Sequence, residues 1–398
     1  MNSLDKEEIL RKVIEAGNTT YLTHDFHPYS AKFIPQIPDL MIRRFSRVRE
    51  TVLDPFCGSG TTLVEAKLLG RNAIGVDIHP LGVFMSKVKT TTIPETELIE
   101  IPELLRKIER RVDDFAIKIQ KNETLSAFID RPLPDEEFSY SIPNFPNRDH
   151  WFQQHVLHEL SIIRTSIDLA KIGPKARDLL LLAVSSIIVP VSNQDSETRY
   201  AAVNKKIQPK YAFSRFRDKV LDMTNRIESF DEKASDCNVE VYNADSRKLD
   251  FLGDNFADLI VTSPPYPNTY DYYLYHKLRM FWLGLDWKKA KFSEIGSRLK
   301  HSSQREDISS YIRDMTRCFE HFSRILKPNR NFVIVVGDSI IRHELLKGDE
   351  IVSELAESTG FEVEDMVRYS LNFASKTFNP AFRNRTKQEH IILLKNIK

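Results

Sequence analysis

The stretch Thr262-Ser263-Pro264-Pro265-Tyr266 gathers groups that could do chemistry. It follows Ala257-Asp258-Leu259-Ile260-Val261, an apolar run that reads as a buried strand of a parallel sheet. Prolines lack the N–H that a ladder needs, so the strand stops there and continues as a short, stiff, extended segment. In open α/β sheets the carboxyl ends of the strands are where ligands bind. The segment offers a hydroxyl (Ser263), a carbonyl (Pro264) and an aromatic face (Tyr266) in a geometry that Pro264 and Pro265 hold. That set suits an exocyclic amine on a nucleobase. Such a nitrogen is a poor nucleophile, because its lone pair is delocalised into the ring. Acceptors on its two protons favour a more tetrahedral nitrogen, and they act most strongly where charge develops in the transition state. Ser263 Oγ and the Pro264 carbonyl are candidate acceptors, and Tyr266 is a candidate stacking partner. The alternative is a strand end closed by a Pro-Pro turn without chemistry.

A second stretch points to a nucleoside ligand. Thr51-Val52-Leu53-Asp54-Pro55-Phe56 reads as a strand, Cys57-Gly58-Ser59-Gly60-Thr61-Thr62 as a glycine turn, and Leu63 to Gly70 as a helix closed by its glycine. Asn72 to Asp77 is a second strand, so the whole is a β-turn-α-β unit. Gly58 and Gly60 allow close backbone approach, and Asp77 lies about twenty residues beyond the turn, where a carboxylate takes ribose hydroxyls. The turn is not G-x-G-x-x-G and has no Walker lysine, which favours an adenosine cofactor without phosphate. The next strand, Val239 to Ala244, ends at Asp245, a candidate acceptor for an adenine amino group. Ile78 and Ser246, beside the two acids, join the candidate cofactor-binding set.

The elements that must position these groups follow from periodicity. Residues 4–16 read as an amphipathic helix and Pro35 to Phe45 as another. Between them Tyr21 to Pro35, dense in aromatics, histidines and prolines, should be a packed loop. His24, Asp25 and His27 lie close together there but lack a fourth ligand, so no metal is assigned. From 81 to 239 helical patterns dominate: Glu97 to Lys121, His150 to Ala170, Pro174 to Ile188 and Tyr211 to Phe230. Polar connections such as Asp130 to Arg148 and Ser192 to Pro209 separate them, and Trp151 and Phe152 read as core anchors. The region is expected to be a helical insertion, with 1–80 and 240–398 forming the catalytic α/β domain. The tyrosine-rich run Tyr266 to His276 leads into a helix ending near Gly284, and its rings are candidates for walling a base pocket. Ser309 to Leu326 and Ile351 to Gly360 are helices, Asn331 to Asp338 is a strand, and Phe361 to Leu371 with His390 to Leu394 form a final antiparallel pair.

Composition narrows the class. With 398 residues the chain can build a sizeable core, and a net charge of +1 means that any nucleic-acid contact must come from clustered positive charge. The best cluster is Arg199, Lys205, Lys206, Lys210, Arg215 and Arg217, interleaved with Tyr200, Tyr211, Phe213 and Phe216. A second is the polar segment Phe373 to Gln388, with Lys376, Arg383 and Arg385. A solvated helix face is the alternative for both. Three dispersed cysteines exclude a disulfide framework and a zinc site and fit a reducing cytoplasm. The polar start is no signal peptide, and no apolar run reaches membrane-spanning length, so a cytoplasmic protein without membrane contact is expected.

Asp54-Pro55-Phe56-Cys57-Gly58-Ser59-Gly60-Thr61-Thr62 resembles the cofactor motif of the S-adenosylmethionine-dependent amino-methyltransferases of DNA, and Ser263-Pro264-Pro265-Tyr266 resembles their catalytic motif. Lys32-Phe33-Ile34-Pro35 and the helix after it resemble the remaining cofactor motif. The resemblance implies that this segment folds over the methionine part of the cofactor. The likeness covers 21–80 and 240–395. It implies a class I, Rossmann-like α/β fold: a mostly parallel seven-stranded sheet with an antiparallel last strand. The large helical insertion at 81–239 would then carry target recognition. Thr-Ser-Pro-Pro-Tyr is the form typical of cytosine-N4 members, whereas adenine-N6 members more often carry Asp or Asn in place of Ser263. The implied reaction is direct in-line transfer to cytosine N4 of a base flipped from duplex DNA. A cognate restriction endonuclease is an implied partner. Adenine N6 in DNA, or an exocyclic amine in RNA, are the alternatives. A nucleophilic Cys57, as in cytosine-C5 enzymes, is not expected, because Cys57 sits in the cofactor turn and Ser263 precedes the prolines.

Overall fold

The computed structural model describes residues 4–14, 17–120, 139–268, 270–297, 308–341, 344–370 and 388–398. Short, mostly aliphatic runs make the strands β1 (Thr51–Asp54), β2 (Asn72–Asp77), β6 (Ala257–Thr262) and the second half of β7 (Leu326–Gly337), while the more polar β5 (Val239–Asn243) lies at the sheet edge. All six residues of β6 are buried, as expected of a strand covered on both faces. Two hairpins, β3 (Gln194–Ser196) with β4 (Arg199–Ala202) and β8 (Ser339–Ile341) with β9 (Glu344–Leu346), stand apart from the main sheet. With β10 (Phe361–Ser370) and β11 (Gln388–Asn396) the main sheet has seven strands, in the order β10-β11-β7-β6-β1-β2-β5. β5 through β7 pair in parallel, and β11 runs antiparallel to both β7 and β10. The mostly parallel sheet with an antiparallel last strand is thus present.

Side chains alternate across this sheet, and each face is packed. Leu53, Ile260, Phe332 and Ile392 pack with Phe319 and Phe322 of α14 (Ile308–Ile325) and Leu355 of α15 (Gly348–Thr359). Their neighbours Val52, Leu259, Val333 and Leu393 face Met41 and Ile42 of α2 (Gln36–Phe45) and Leu63 of α3 (Thr61–Leu68). α1 (Lys6–Ile14) adds Ile9 to that second face. Chain order reverses across the sheet between β1, which leads on to β2 and β5, and β6, which leads on to β7. A crevice at the carboxyl ends of β1 and β6 is therefore the expected ligand position.

The helical elements between β2 and β5 are α4 (Pro80–Thr90), α5 (Glu95–Leu98), α6 (Ile101–Gln120), α7 (Arg148–Trp151), α8 (Gln154–Leu169), α9 (Pro174–Ile187) and α10 (Tyr211–Asp231). Trp151 and Phe152 are buried in their shared core. The single helix expected over Glu97 to Lys121 is broken before Ile101. Pro102 sits in the first turn of α6, where its missing N–H costs nothing. The connection 192–209, read as polar, contains the β3–β4 hairpin. Its sequence lacks alternation. Part of what holds it is the Gln194 amide, which donates to the carbonyls of Ser196 and Tyr275. After β6 come α11 (Tyr272–Tyr275), α12 (Lys277–Leu283) and α13 (Trp287–Ser293), and Gly284 ends α12 in the left-handed region as its position predicts. Helix α13 and the β8–β9 hairpin were not signalled by periodicity. No described helix is long and apolar enough to cross a membrane.

Candidate active site

The turn after β1 is tightly specified. Gly58 and Gly60 have φ of 49° and 83°, the left-handed region that glycine enters without strain. Gly60 N donates to the Cys57 carbonyl at 2.7 Å, and Gly58 N donates to Asp77 Oδ2 at 2.8 Å. Asp77 Oδ1 accepts from His79 N at 2.7 Å, so the carboxylate is fixed by two backbone donors and keeps further lone pairs for a ligand. Burial pushes the Asp77 carboxyl up to about 6, against the pull of those two hydrogen bonds.

These groups line one open cleft of about 810 Å³, counting its mouth and the solvent space in it. Of the sequence candidates, Lys32, Phe33, Phe56, Gly58, Ser59 and Thr61 line it, and Asp77, Ile78, Asp245 and Ser246 stand on the same wall. Ser263 and Pro265 reach the cleft from β6. The cofactor turn and the Ser-Pro-Pro-Tyr stretch, about two hundred residues apart in sequence, thus share one cavity. Ser59 Oγ is buried there with no hydrogen-bond partner among the described residues, a polar atom ready for a ligand.

Other candidates stand behind the lining. Asp54 is buried beneath it, accepting from Thr262 Oγ1 at 2.6 Å and Phe56 N at 3.1 Å. Burial raises its carboxyl to about 6, although the Thr262 hydrogen bond opposes this. Thr62 Oγ1 donates to the Val261 carbonyl at 3.3 Å, so Asp54 and Thr62 tie the two catalytic strand ends together. The Pro55 carbonyl accepts from Ser246 Oγ, and Gly60 caps α3. Ile34 packs on the sheet core, and Pro35 starts α2. Pro264 is buried, and the Tyr266 ring lies against Gly337, its hydroxyl donating to Glu389 Oε1 at 3.1 Å. Ser263 Oγ is 3.5 Å from that hydroxyl.

Asp245 is more constrained than its position at a strand end suggests. Arg247 Nε and Nη2 contact its two oxygens at 2.9 and 2.8 Å, and Arg247 Nη1 bonds Asp314 at 2.9 Å. Burial alone would raise the Asp245 carboxyl, but these hydrogen bonds hold it below its usual value. Lys32 Nζ donates to the His24 carbonyl at 3.0 Å.

The tyrosine-rich run expected to wall a pocket does bring Tyr272 to the cleft, whereas Tyr29, His79 and the residues ending α13 were missed. Tyr29 stacks on Tyr272 and on His276, with ring centroids 5.4 and 5.3 Å apart. Tyr29, Tyr272 and His79 all face the cleft. Burial pushes His79 down to about 3, so its ring is neutral. The aromatic density around Tyr29 and Tyr272 was the available signal. Ser293, Glu294 and Ile295 complete the wall from the end of α13, and nothing local in the sequence marks them. Cys57 also lines the cleft, and burial pushes its thiol well up, which disfavours the thiolate a nucleophile needs.

The basic stretch expected to meet nucleic acid is largely compensated within the chain. Arg199 pairs with Asp195 at 3.5 Å, Lys210 with Asp113 at 2.7 Å, and Arg217 with Glu109 and Asp218 at 3.5 and 3.2 Å. Lys205 Nζ donates to the Val189 carbonyl at 2.9 Å. Lys206 and Arg215 are exposed and make no ion pair among the described residues. Lys376, Arg383 and Arg385 lie outside the described residues. One cluster of metal-type ligands, Asp338, Asp349 and His390, has its charge met internally. His390 Nε2 and Asp338 Oδ1 are 2.8 Å apart, and Arg368 contacts Asp349 at 2.7 Å.

A family model described as DNA methylase matches residues 5–83 and 257–396, more than half of the chain. The chain belongs to this family. The matched segments contain both halves of the cleft, the glycine turn with Asp77 and the Ser-Pro-Pro-Tyr loop. The protein is therefore an S-adenosylmethionine-dependent DNA amino-methyltransferase. It is 24% identical to the Type II methyltransferase M.MjaII of Methanocaldococcus jannaschii, an alignment spanning 91% of this chain and 79% of that protein. It is also 24% identical to the Type II methyltransferase M.MvaI of Kocuria varians, over 85% of this chain and 82% of the relative. A short stretch, 15% of this chain, is 43% identical to 17% of a tRNA (guanine(10)-N2)-dimethyltransferase of Methanocaldococcus jannaschii. The residues present fit the cofactor's chemistry: Asp77 is a carboxylate fixed with lone pairs to spare for hydroxyls, and Ser59 Oγ is buried without a partner among the described residues.

Proposed function

We propose that the protein is a site-specific methyltransferase acting on cytosine N4 in duplex DNA, with the target base flipped into the cleft. The observation that carries this is the serine before Pro264-Pro265-Tyr266, whose side chain lines the cofactor cleft itself. When bound, S-adenosylmethionine supplies a methyl group activated by its sulfonium for direct attack by the amine. The chain's task is to hold that amine. Ser263 Oγ and the Pro264 carbonyl accept hydrogen bonds from its two N–H groups, which favours a tetrahedral nitrogen as positive charge develops on it; neither takes the proton, and the methylated amine releases one to solvent. Asp77 holds the ribose hydroxyls, and Ser59 Oγ holds the amino-acid end. Asp245, kept ionised by Arg247, faces the adenine amino group. Tyr29 and Tyr272 supply the aromatic wall nearest the glycine turn, Tyr272 coming from the tyrosine-rich run expected to wall the base pocket.

The helical region 81–239 is proposed to carry target recognition. The two long relatives are named Type II methyltransferases, and we extend that class to this chain. A cognate restriction endonuclease reading the same DNA sequence is the partner this reading implies.

The test is transfer of labelled methyl from S-adenosylmethionine to duplex DNA and to RNA, followed by nucleoside mass analysis. N4-methylcytosine in DNA is the expected product. N6-methyladenine would keep the amine mechanism and overturn the choice of base. Label in RNA alone would overturn the DNA substrate.

A further inference from the structure

Net charge is only +1, so a polyanion must find positive charge that the chain has gathered in one place and left uncompensated. The basic stretch 199–217 does not meet that condition, since most of its cations already have partners. Helix α13 does. It carries Lys288, Lys289 and Lys291 within seven residues, and Lys277 of α12 stands beside it with Nζ 4.2 Å over the Trp287 ring. None of these four ammonium groups makes an ion pair among the described residues. Burial first, and then the charge of Lys291, push Lys277 below its ordinary value. At the end of the same helix Phe292 is 74% exposed, the most exposed large apolar side chain among the described residues.

The position of α13 matters as much as its charge. The residues that follow Phe292 are Ser293, Glu294 and Ile295, which form one wall of the catalytic cleft. They are fixed rather than draped: Arg247 Nη2 donates to the Ser293 carbonyl at 3.0 Å, Tyr273 N donates to Glu294 Oε1 at 2.7 Å, and Asn268 N donates to the Gly296 carbonyl at 2.9 Å. The helix is thus bolted to the loop that follows Pro264-Pro265-Tyr266, at the rim where a flipped base would enter.

We propose that duplex DNA docks on the α13 face, its phosphates on Lys277, Lys288, Lys289 and Lys291 and its base stack against Phe292. This inference rests on the methyltransferase reading above and names the surface that reading requires. Phosphate contacts release counterions, so their loss shows in the salt dependence of binding. An aromatic ring placed against a base stack or in the gap left by a flipped base adds affinity that salt does not screen. The two kinds of contact are therefore separable by experiment.

The experiment measures binding of a random-sequence duplex oligonucleotide, by fluorescence anisotropy over a salt series, in the presence of S-adenosylmethionine. The Lys288→Ala/Lys289→Ala/Lys291→Ala variant should bind roughly tenfold or more weakly at low salt. Its slope of log affinity against log salt should shrink by about 0.9 for each phosphate contact removed. Phe292→Ala should weaken binding at every salt concentration and leave the slope unchanged. Lys210→Ala/Arg217→Ala, in the compensated stretch, should change neither quantity. Calorimetric affinity for S-adenosylmethionine, unchanged in all variants, checks that they fold. A triple variant with wild-type affinity and slope would overturn the docking face while leaving DNA methylation by the wild type intact. An equal loss in the Lys210/Arg217 variant would move docking to α10 and overturn it too. Wild-type protein that binds and labels RNA but not duplex DNA would overturn both the docking face and the substrate reading.

Discussion

Ser263 Oγ and the Tyr266 hydroxyl are 3.5 Å apart, at the outer edge of a hydrogen bond, so the serine oxygen retains acceptor capacity toward the cleft. Ser263→Ala removes that acceptor and little else. Methyl transfer should fall by about a hundredfold to a thousandfold, the range seen when one preorganised charge-stabilising group is lost, while S-adenosylmethionine affinity stays within error. Unchanged single-turnover transfer would remove Ser263 from the chemistry. Asp77 supports a pH argument. Its carboxyl rises to about 6 in the folded protein from an ordinary 3.8, so the free protein gains from the protonated form at low pH and loses that stability as pH climbs through about 6. Cofactor binding runs the other way, because ribose hydroxyls need the ionised carboxylate. Affinity for S-adenosylmethionine should strengthen about tenfold between pH 5 and pH 7 and then level off. Asp54 titrates in the same range, so calorimetry on Asp77→Asn decides between them: the variant should bind weakly with no pH dependence. Asp77 and Ser263 were legible because residue type and strand end coincide in the sequence. Glu294 was not, since its place in the cleft depends on a long-range bond from Tyr273 N to a segment with no motif of its own.

At the level of elements, α4 acts as the backstop of the glycine turn. Ser86 Oγ donates to the Gly58 carbonyl at 2.9 Å, and a Cβ placed on Gly82 would sit 2.9 Å from that same carbonyl oxygen. The obstacle is backbone, so it cannot swing aside as a side chain would. Gly82→Ala should therefore displace the turn, costing roughly 1–3 kcal/mol of stability and weakening cofactor binding with it. Equilibrium unfolding and calorimetry measure the two effects. A variant that loses stability but keeps full cofactor affinity would show that α4 does not position the turn. This contact explains what the sequence could and could not reveal about elements. The β1-turn-α3-β2 unit was readable because its glycines, its strand runs and its acid fall at fixed local spacings. The packing of α4 on the turn was not, for no local pattern says which helix face meets which carbonyl. The β3–β4 and β8–β9 hairpins escaped for a related reason: each has three or four residues per strand, too few to alternate.

For the whole molecule, the question is whether the helical region between β2 and β5 behaves as a separate body. Sequence alone marked it off by its change from strand to helix periodicity. The packing joins it to the rest. One continuous apolar cluster contains Phe26 from the N-terminal loop, Val64 of α3, the inner faces of α6, α8, α9 and α10, and Tyr273, Leu278 and Trp282 from the elements that follow the catalytic loop. A cluster shared in this way has no surface at which the helices could part without exposing several buried aromatic rings, each contributing on the order of 2–3 kcal/mol. The chain should accordingly unfold in one cooperative transition, with far-UV and near-UV signals coincident and calorimetric and van't Hoff enthalpies equal. Cofactor should move that transition as a unit. At a hundredfold excess over its dissociation constant, S-adenosylmethionine should add about 2.7 kcal/mol and raise Tm by a few degrees, for helical and sheet signals alike. Asp77→Ala should abolish the rise. Two transitions, of which only one responds to cofactor, would instead show that the helical region melts on its own. Recognition and catalysis would then sit on bodies joined by hinges rather than on the single packed frame that the shared core describes.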